Sequence, residues 1–201
     1  MVMVGSGAAT GGRGGSVHVT VGSGTSGSGG YIRLQSGSSG AGAATGGALI
    51  VEGGVSSGSF GGSVTIASGE GTATSSGTIK VRTSNAGTSG VSGMLVFSSG
   101  TTSLGNSGMV MIGSGASTTG RGGSIAVTVG SGTSGSGGYV RIESGRSTIH
   151  TGGALTIESG EGTATSSGSI KIRSFNSGTS GVSGMLVFSS GTTSVGNSGM
   201  V

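Results

Sequence analysis

Short stretches in which aliphatic residues alternate with polar or small ones recur about every fifteen residues along this chain. Val17 and Val19, Val64 and Ile66, Ile79 and Val81, Ile125 and Val127, and Ile170 and Ile172 are such pairs. Alternation with period two is the mark of an extended strand with one face turned inward. A helix is excluded, because each stretch is followed by several glycines, each costing about 1 kcal/mol relative to Ala in a helix.

Cutting after each recurring Gly divides the chain into lines. Residues 16–30 read SVHVTVGSGTSGSGG, 63–77 read SVTIASGEGTATSSG, 94–108 read MLVFSSGTTSLGNSG, and 124–138 read SIAVTVGSGTSGSGG. Most lines have 15 residues; 31–47 has two more, and 78–93 and 169–184 have one more each. A longer period lies above the line. MVMVGSG at Met1 returns as MVMIGSG at Met109, and a further copy begins at Met200. The chain therefore reads as a single repeat array over 1–201. A first super-repeat of seven lines covers 1–108, a second of six covers 109–199, and 200–201 starts a further line. The second super-repeat is shorter by one line and its two-residue insertion, so phase survives the change. That is expected when the line is the physical unit, one coil stacked on the next.

The expected fold is all-β. It is a β-solenoid of about 13 stacked 15-residue coils, with two strands per coil and a flattened cross-section. Positions 2 and 4 of each line form the aliphatic wall. Gly at positions 7 and 15 is read as two turns at which positive φ is needed. Position 11 (Ser26, Ala73, Leu104, Thr119, Ile149, Ala164 and Val195) is read as the inward position of the second strand. At about 4.8 Å per coil the stack would be about 60 Å long. Each coil brings only two large aliphatics. Backbone pairing between coils and ladders of like side chains must therefore carry much of the stability.

Composition removes the competing classes. Gly makes up 52 of 201 residues, yet Pro is absent and charged residues are only 7%. Disordered chains of this polarity usually carry many more charges. Collagen needs Gly at every third position together with Pro. No apolar run reaches the roughly 18 residues of a membrane span, and Met1-Val2-Met3-Val4 lacks the charged start of a secretory signal. The net charge of +4 is spread over the whole array, with no Lys/Arg cluster, so a nucleic-acid partner is not expected. With no Cys, no disulfide is available. The chain begins at line position 1 and stops at position 2, as a slice of a longer array would.

No catalytic, cofactor-binding or metal-binding residues are assigned, and the chain is not expected to be an enzyme. It has no Asp, so a Ser-His-Asp triad cannot be built. His18 and His150 lie eight lines apart, about 38 Å in a stacked array, too far to share a metal. Gly11-Gly12-Arg13-Gly14-Gly15 lacks the Lys-Ser/Thr and the helix of a phosphate loop. The charged side chains at positions 3 and 5 point outward. Glu158 and Arg173, on successive lines, are expected to pair.

Two surface features remain as candidates. Where lines read Met-Leu-Val-Phe or Met-Val-Met-Ile, both faces of the strand are apolar. Met94, Val96, Met109 and Met111, with Met1 and Met3 and with Met185, Val187 and Met200, form a candidate lateral-contact patch. Thr10, Thr25, Thr72, Thr118, Thr133, Thr148 and Thr163 all stand at line position 10 and form a candidate hydroxyl ladder. The patch points to a structural protein: a fibre, or an adhesive or surface filament, formed by end-to-end and side-by-side association with other copies. The ladder points to an alternative, a solenoid that binds ice or another crystal surface.

Lines such as SGSIKIRS, GGSVTIASGEG and GNSGMVMIGSG resemble the Gly/Ser-rich repeat proteins of diatoms and related algae. The resemblance covers the whole chain. It implies an extracellular or cell-surface setting and adds no binding residues. An extracellular matrix or mineral surface, matched by the outward charges at positions 3 and 5, is a further expected partner.

Overall fold

The line is a local structural unit in this chain, and its second half is a closed loop. A computed structural model describes residues 1–40 and 44–201. The stretch 41–43, within the long line 31–47, lies outside the described residues. Two compact units are present, Met1–Ser107 and Gly108–Val201.

Within both units most lines share one course, in which positions 1–5 form an arm without backbone hydrogen bonds among the described residues. The chain then bends at positions 10–12: at 25–27, 57–59 and 72–74 in the first unit, and at 118–120, 133–135 and 163–165 in the second. In seven lines the amide of the final Gly donates to the carbonyl of position 7 and closes the loop. Gly62 to Gly54 (2.8 Å) and Gly77 to Gly69 (2.9 Å) are examples from the first unit. Gly153 to Gly145 and Gly168 to Gly160, both 2.9 Å, are examples from the second. The long line closes in the same way, Gly47 to Gly37 at 2.8 Å. The lines 78–93 and 169–184 instead make a tight turn, Gly90 to Gly87 and Gly181 to Gly178, both at 3.4 Å.

The structure differs from the sequence expectation in two respects. First, the described residues contain no helix and no strand, and every backbone hydrogen bond among them falls within one line. The bend at positions 10–12 takes up the segment expected as a second strand. Position 11 therefore sits at the apex of the bend, with Leu104, Ile149 and Val195 all exposed. A ladder between coils is thus not a feature of this structure, and the stacked solenoid enters below as a proposal. Second, the glycines at positions 7 and 15 are not there for positive φ. Among the described residues the only positive φ is that of Gly196, at 114°, which is line position 12.

The physical reason for Gly at position 15 is close approach. A Cβ on Gly123 would lie 2.8 Å from the Cβ of Ser114, and one on Gly138 would lie 2.6 Å from a methyl of Val129. At these necks position 6 packs against position 15 and leaves no room for a side chain; at Gly184 and Gly199 the approach is looser, with the position-6 serine Cβ at 3.3 and 3.5 Å. At position 7 the surroundings are open: nothing lies within 4 Å of a Cβ built on Gly69, Gly115 or Gly145. The composition agrees with this contrast. All thirteen lines end in Gly, whereas Ser84 and Phe175 occupy position 7 in the two lines that turn differently.

No described residue is buried, and there is no apolar core. The most sheltered residues gather at the loop neck. Ser36, Thr83 and Ser144 at position 6, and Gly71, Ser147 and Gly162 at position 9, are half-buried. No helix among the described residues is long and apolar enough to cross a membrane.

Candidate functional site

The surface of each line divides into an apolar arm and a hydroxyl-lined loop. In the loop, the side chain at position 9 decides how the bend is made. In four lines it is a Ser or Thr whose oxygen accepts the amide of position 12, whereas Thr193 donates to the carbonyl of Val195 at 3.0 Å. The amide of Ser59 donates to Ser56 (3.0 Å), that of Gly105 to Thr102 (3.2 Å), that of Gly120 to Ser117 (2.9 Å) and that of His150 to Ser147 (2.9 Å). These are the local hydroxyl turns that Ser and Thr favour. Where position 9 is Gly, the chain folds closer on itself. A Cβ on Gly24 would meet the carbonyl of Gly27 at 3.0 Å, and one on Gly162 would run into the carbonyl of Ser166. Hydroxyl and glycine are thus two ways of making the bend, and Ala9 in the first line occupies the same position without either.

Position 6 adds a second latch in two Met-rich lines. Ser6 Oγ donates to the carbonyl of Gly15 at 2.7 Å, and Ser114 Oγ donates to that of Gly123 at 3.0 Å. Both loops are held twice, because the amides of Gly15 and Gly123 also reach Gly7 (3.1 Å) and Gly115 (3.3 Å). Position 6 was visible in the sequence as a row of serines (Ser68, Ser114, Ser144, Ser159 and Ser174), read as a ladder between lines rather than as a latch within one. Position 9 carried no such signal, because Ser occurs throughout the chain.

In the arms position 2 is the more sheltered position, whereas position 4, expected to face inward with it, is as open as its neighbours: Ile112 is 75% exposed. Val110 is 51% exposed, whereas Met109 and Met111 on either side are 77% exposed. The same contrast separates Leu95 from Met94 and Val96, and Leu186 from Met185 and Val187. Position 2 is thus the more sheltered side of the arm, and the methionines stand on the other. Met1, Met3 and Met200 are also open to solvent. In each unit by itself, the residues of the candidate lateral patch are exposed.

The candidate hydroxyl ladder falls on the bends. Thr25, Thr72, Thr118, Thr133, Thr148 and Thr163 each begin a bend at position 10, as Thr10 does in the first line, and all are exposed. The side-chain hydrogen bonds of the loops come from positions 6 and 9 and use none of these threonines.

Charged groups interact within lines. Arg141 and Glu143, two apart on the outward side of one arm, form an ion pair at 2.6 Å with both side chains about two-thirds exposed. Arg173 lies over the ring of Phe175, 4.5 Å from its centroid. The expected partnership of Glu158 with Arg173 is not formed. The guanidinium has found an aromatic face two residues away on its own line, which costs less chain ordering than reaching the next line. Among the described residues no three His, Asp or Glu side chains come together as a metal site.

No protein-family model, curated protein or solved structure matches this chain.

Proposed function

We propose that the chain is a structural protein that builds an extracellular fibre or surface filament, by stacking and side-by-side association of β-solenoid rods. The observation that carries this reading is the state of the arms. Val64, Ile125, Leu155 and Ile170 are all more than half exposed, and among the described residues no arm has a backbone hydrogen-bond partner on another line. Extended segments with free backbone groups and one aliphatic side are templates for strand pairing. Pairing of successive arms places like residues over like, satisfies donors and acceptors along the whole array, and covers the aliphatic side. The exposed methionines then face neighbouring rods.

Electron microscopy and fibre diffraction of the purified protein test this reading. Filaments with a meridional spacing of about 4.8 Å are expected. A dispersion of single chains at all concentrations overturns the reading.

Crystal-surface binding is the second reading. It is supported by the position-10 threonines, whose hydroxyls are exposed and unused by the loops. Thermal hysteresis from unassembled chains is its test.

A further inference from the structure

We infer that Tyr31 and Tyr139 are oxidative cross-linking sites that join copies of this chain covalently. The inference rests on the filament reading. These are the only two tyrosines in the chain. Each opens its line at position 1, in the equivalent lines YIRLQSG and YVRIESG, one per super-repeat. Position 1 is also where Met94, Met109 and Met185 stand, so the phenols share the side of the arm assigned to contact between rods. Both rings are almost free of cover, 86% exposed for Tyr31 and 85% for Tyr139. The chain has no Cys, so disulfides cannot supply covalent strength, and the phenol is the side chain left that can form a carbon–carbon bond under mild oxidation.

The co-substrate is a peroxide. Each of two phenols loses one electron and one proton to give a phenoxyl radical. The radicals join through a new bond between ring carbons ortho to oxygen, and the two ortho hydrogens move to the oxygens and restore the phenols. Hydrogen peroxide accepts the two electrons and two protons and becomes two waters.

Two sites per chain is the smallest number that extends a covalent network, because a chain with one phenol stops at the dimer. The sites must also act between chains. Side-by-side association of rods brings position-1 phenols of different copies together.

The test treats the full chain, assembled and dispersed, with a haem peroxidase and limiting hydrogen peroxide. The wild-type filament is expected to give dityrosine fluorescence about ten-fold or more above the dispersed chain at equal concentration, because assembly raises the effective concentration of the phenols. Denaturing gels are expected to show a ladder beyond the dimer for wild type, dimers alone for Tyr31→Phe or Tyr139→Phe, and no ladder for the double variant. Filaments mixed from isotopically light and heavy chains are expected to yield mixed light–heavy tyrosine peptides. Links confined to one chain, or filaments that do not cross-link, overturn this inference alone. Equal coupling with no filaments by electron microscopy overturns the filament reading together with it.

Discussion

Ser114 and Gly123 hold the neck of one loop, with Ser114 Oγ donating to the Gly123 carbonyl at 3.0 Å. The Cβ of that serine stands 2.8 Å from where any side chain on Gly123 would begin. The hydrogen bond and the steric limit are two aspects of one close approach, and the same pair of atoms meets at Ser6 and Gly15.

The contrast between positions 15 and 7 makes the first prediction. Gly123→Ala is expected to spread the neck, weaken the Gly123 to Gly115 hydrogen bond and destabilise the assembled protein by about 1–3 kcal/mol, as overpacking does. Gly115→Ala meets open space and is expected to be close to neutral. Denaturant-induced disassembly of the two variants, followed by light scattering, measures the difference. Equal midpoints would remove the steric account.

A compensating pair gives a stricter version. A Cβ on Gly138 would meet the outer methyl of Val129, 2.6 Å away. Val129→Ala removes that methyl, so Gly138→Ala is expected to cost less in the Val129→Ala background than in wild type. A coupling of about 0.5–2 kcal/mol is expected in the double-mutant cycle. Strict additivity would mean that the two positions do not touch.

What the sequence made legible follows from this geometry. The fifteen-residue line was readable because its final Gly recurs without exception, and the arm was readable because Val110 and its equivalents alternate with outward residues. The purpose of the glycines was not readable. Gly at a turn suggests positive φ, but close approach demands Gly equally, and the two demands leave the same letter in the sequence. The position-9 hydroxyls were hidden for a different reason. Ser117 and Ser147 are two serines among many, and only the bend at positions 10–12 brings their oxygens to the amides of Gly120 and His150. The partner of Arg173 was missed because a single Phe two residues away competes with Glu158 on the preceding line. The hydroxyl row at position 10 was visible as a row, but its place on a bend was not.

The position-9 contact has its own readout. Ser117→Ala removes the acceptor for the Gly120 amide and is expected to speed hydrogen exchange at that amide several-fold. The loss of stability is expected to be only about 0.5–1.5 kcal/mol, because the site is exposed to water. Unchanged exchange at Gly120 would show that the bend does not depend on the hydroxyl.

The lateral patch is tested by charge. Met109 and Met111 stand on the exposed side of their arm. Replacing both with Lys is expected to abolish bundling of filaments while leaving single filaments intact, since the substitution spares Val110 and Ile112. Light scattering reports bundling, and electron microscopy reports the single filament. Bundles that persist in the Lys variant would move the contact to another side of the arm.

The pairing of arms itself is tested by a substitution that removes a donor without removing apolar surface. Ala126 stands at position 3 of its arm, between Ile125 and Val127. Proline there takes away one N–H, and its ring does not fit the interior of a ladder. Ala126→Ser keeps the donor and changes the polarity of the same position. If arms pair line over line, Ala126→Pro is expected to prevent filament formation or raise the critical concentration by about ten-fold, equivalent to roughly 1.4 kcal/mol, whereas Ala126→Ser assembles normally. Thr133→Pro, placed in the bend rather than in the arm, serves as the comparison. It changes a position that is outside the proposed ladder and whose hydroxyl no loop contact uses. Critical concentrations from sedimentation, together with the amide infrared band of the pelleted material, measure all three. Equal assembly of the Ala126→Pro and Thr133→Pro variants would mean that the arms do not join through their backbones, and the stacked solenoid would then have to be abandoned as the assembled form.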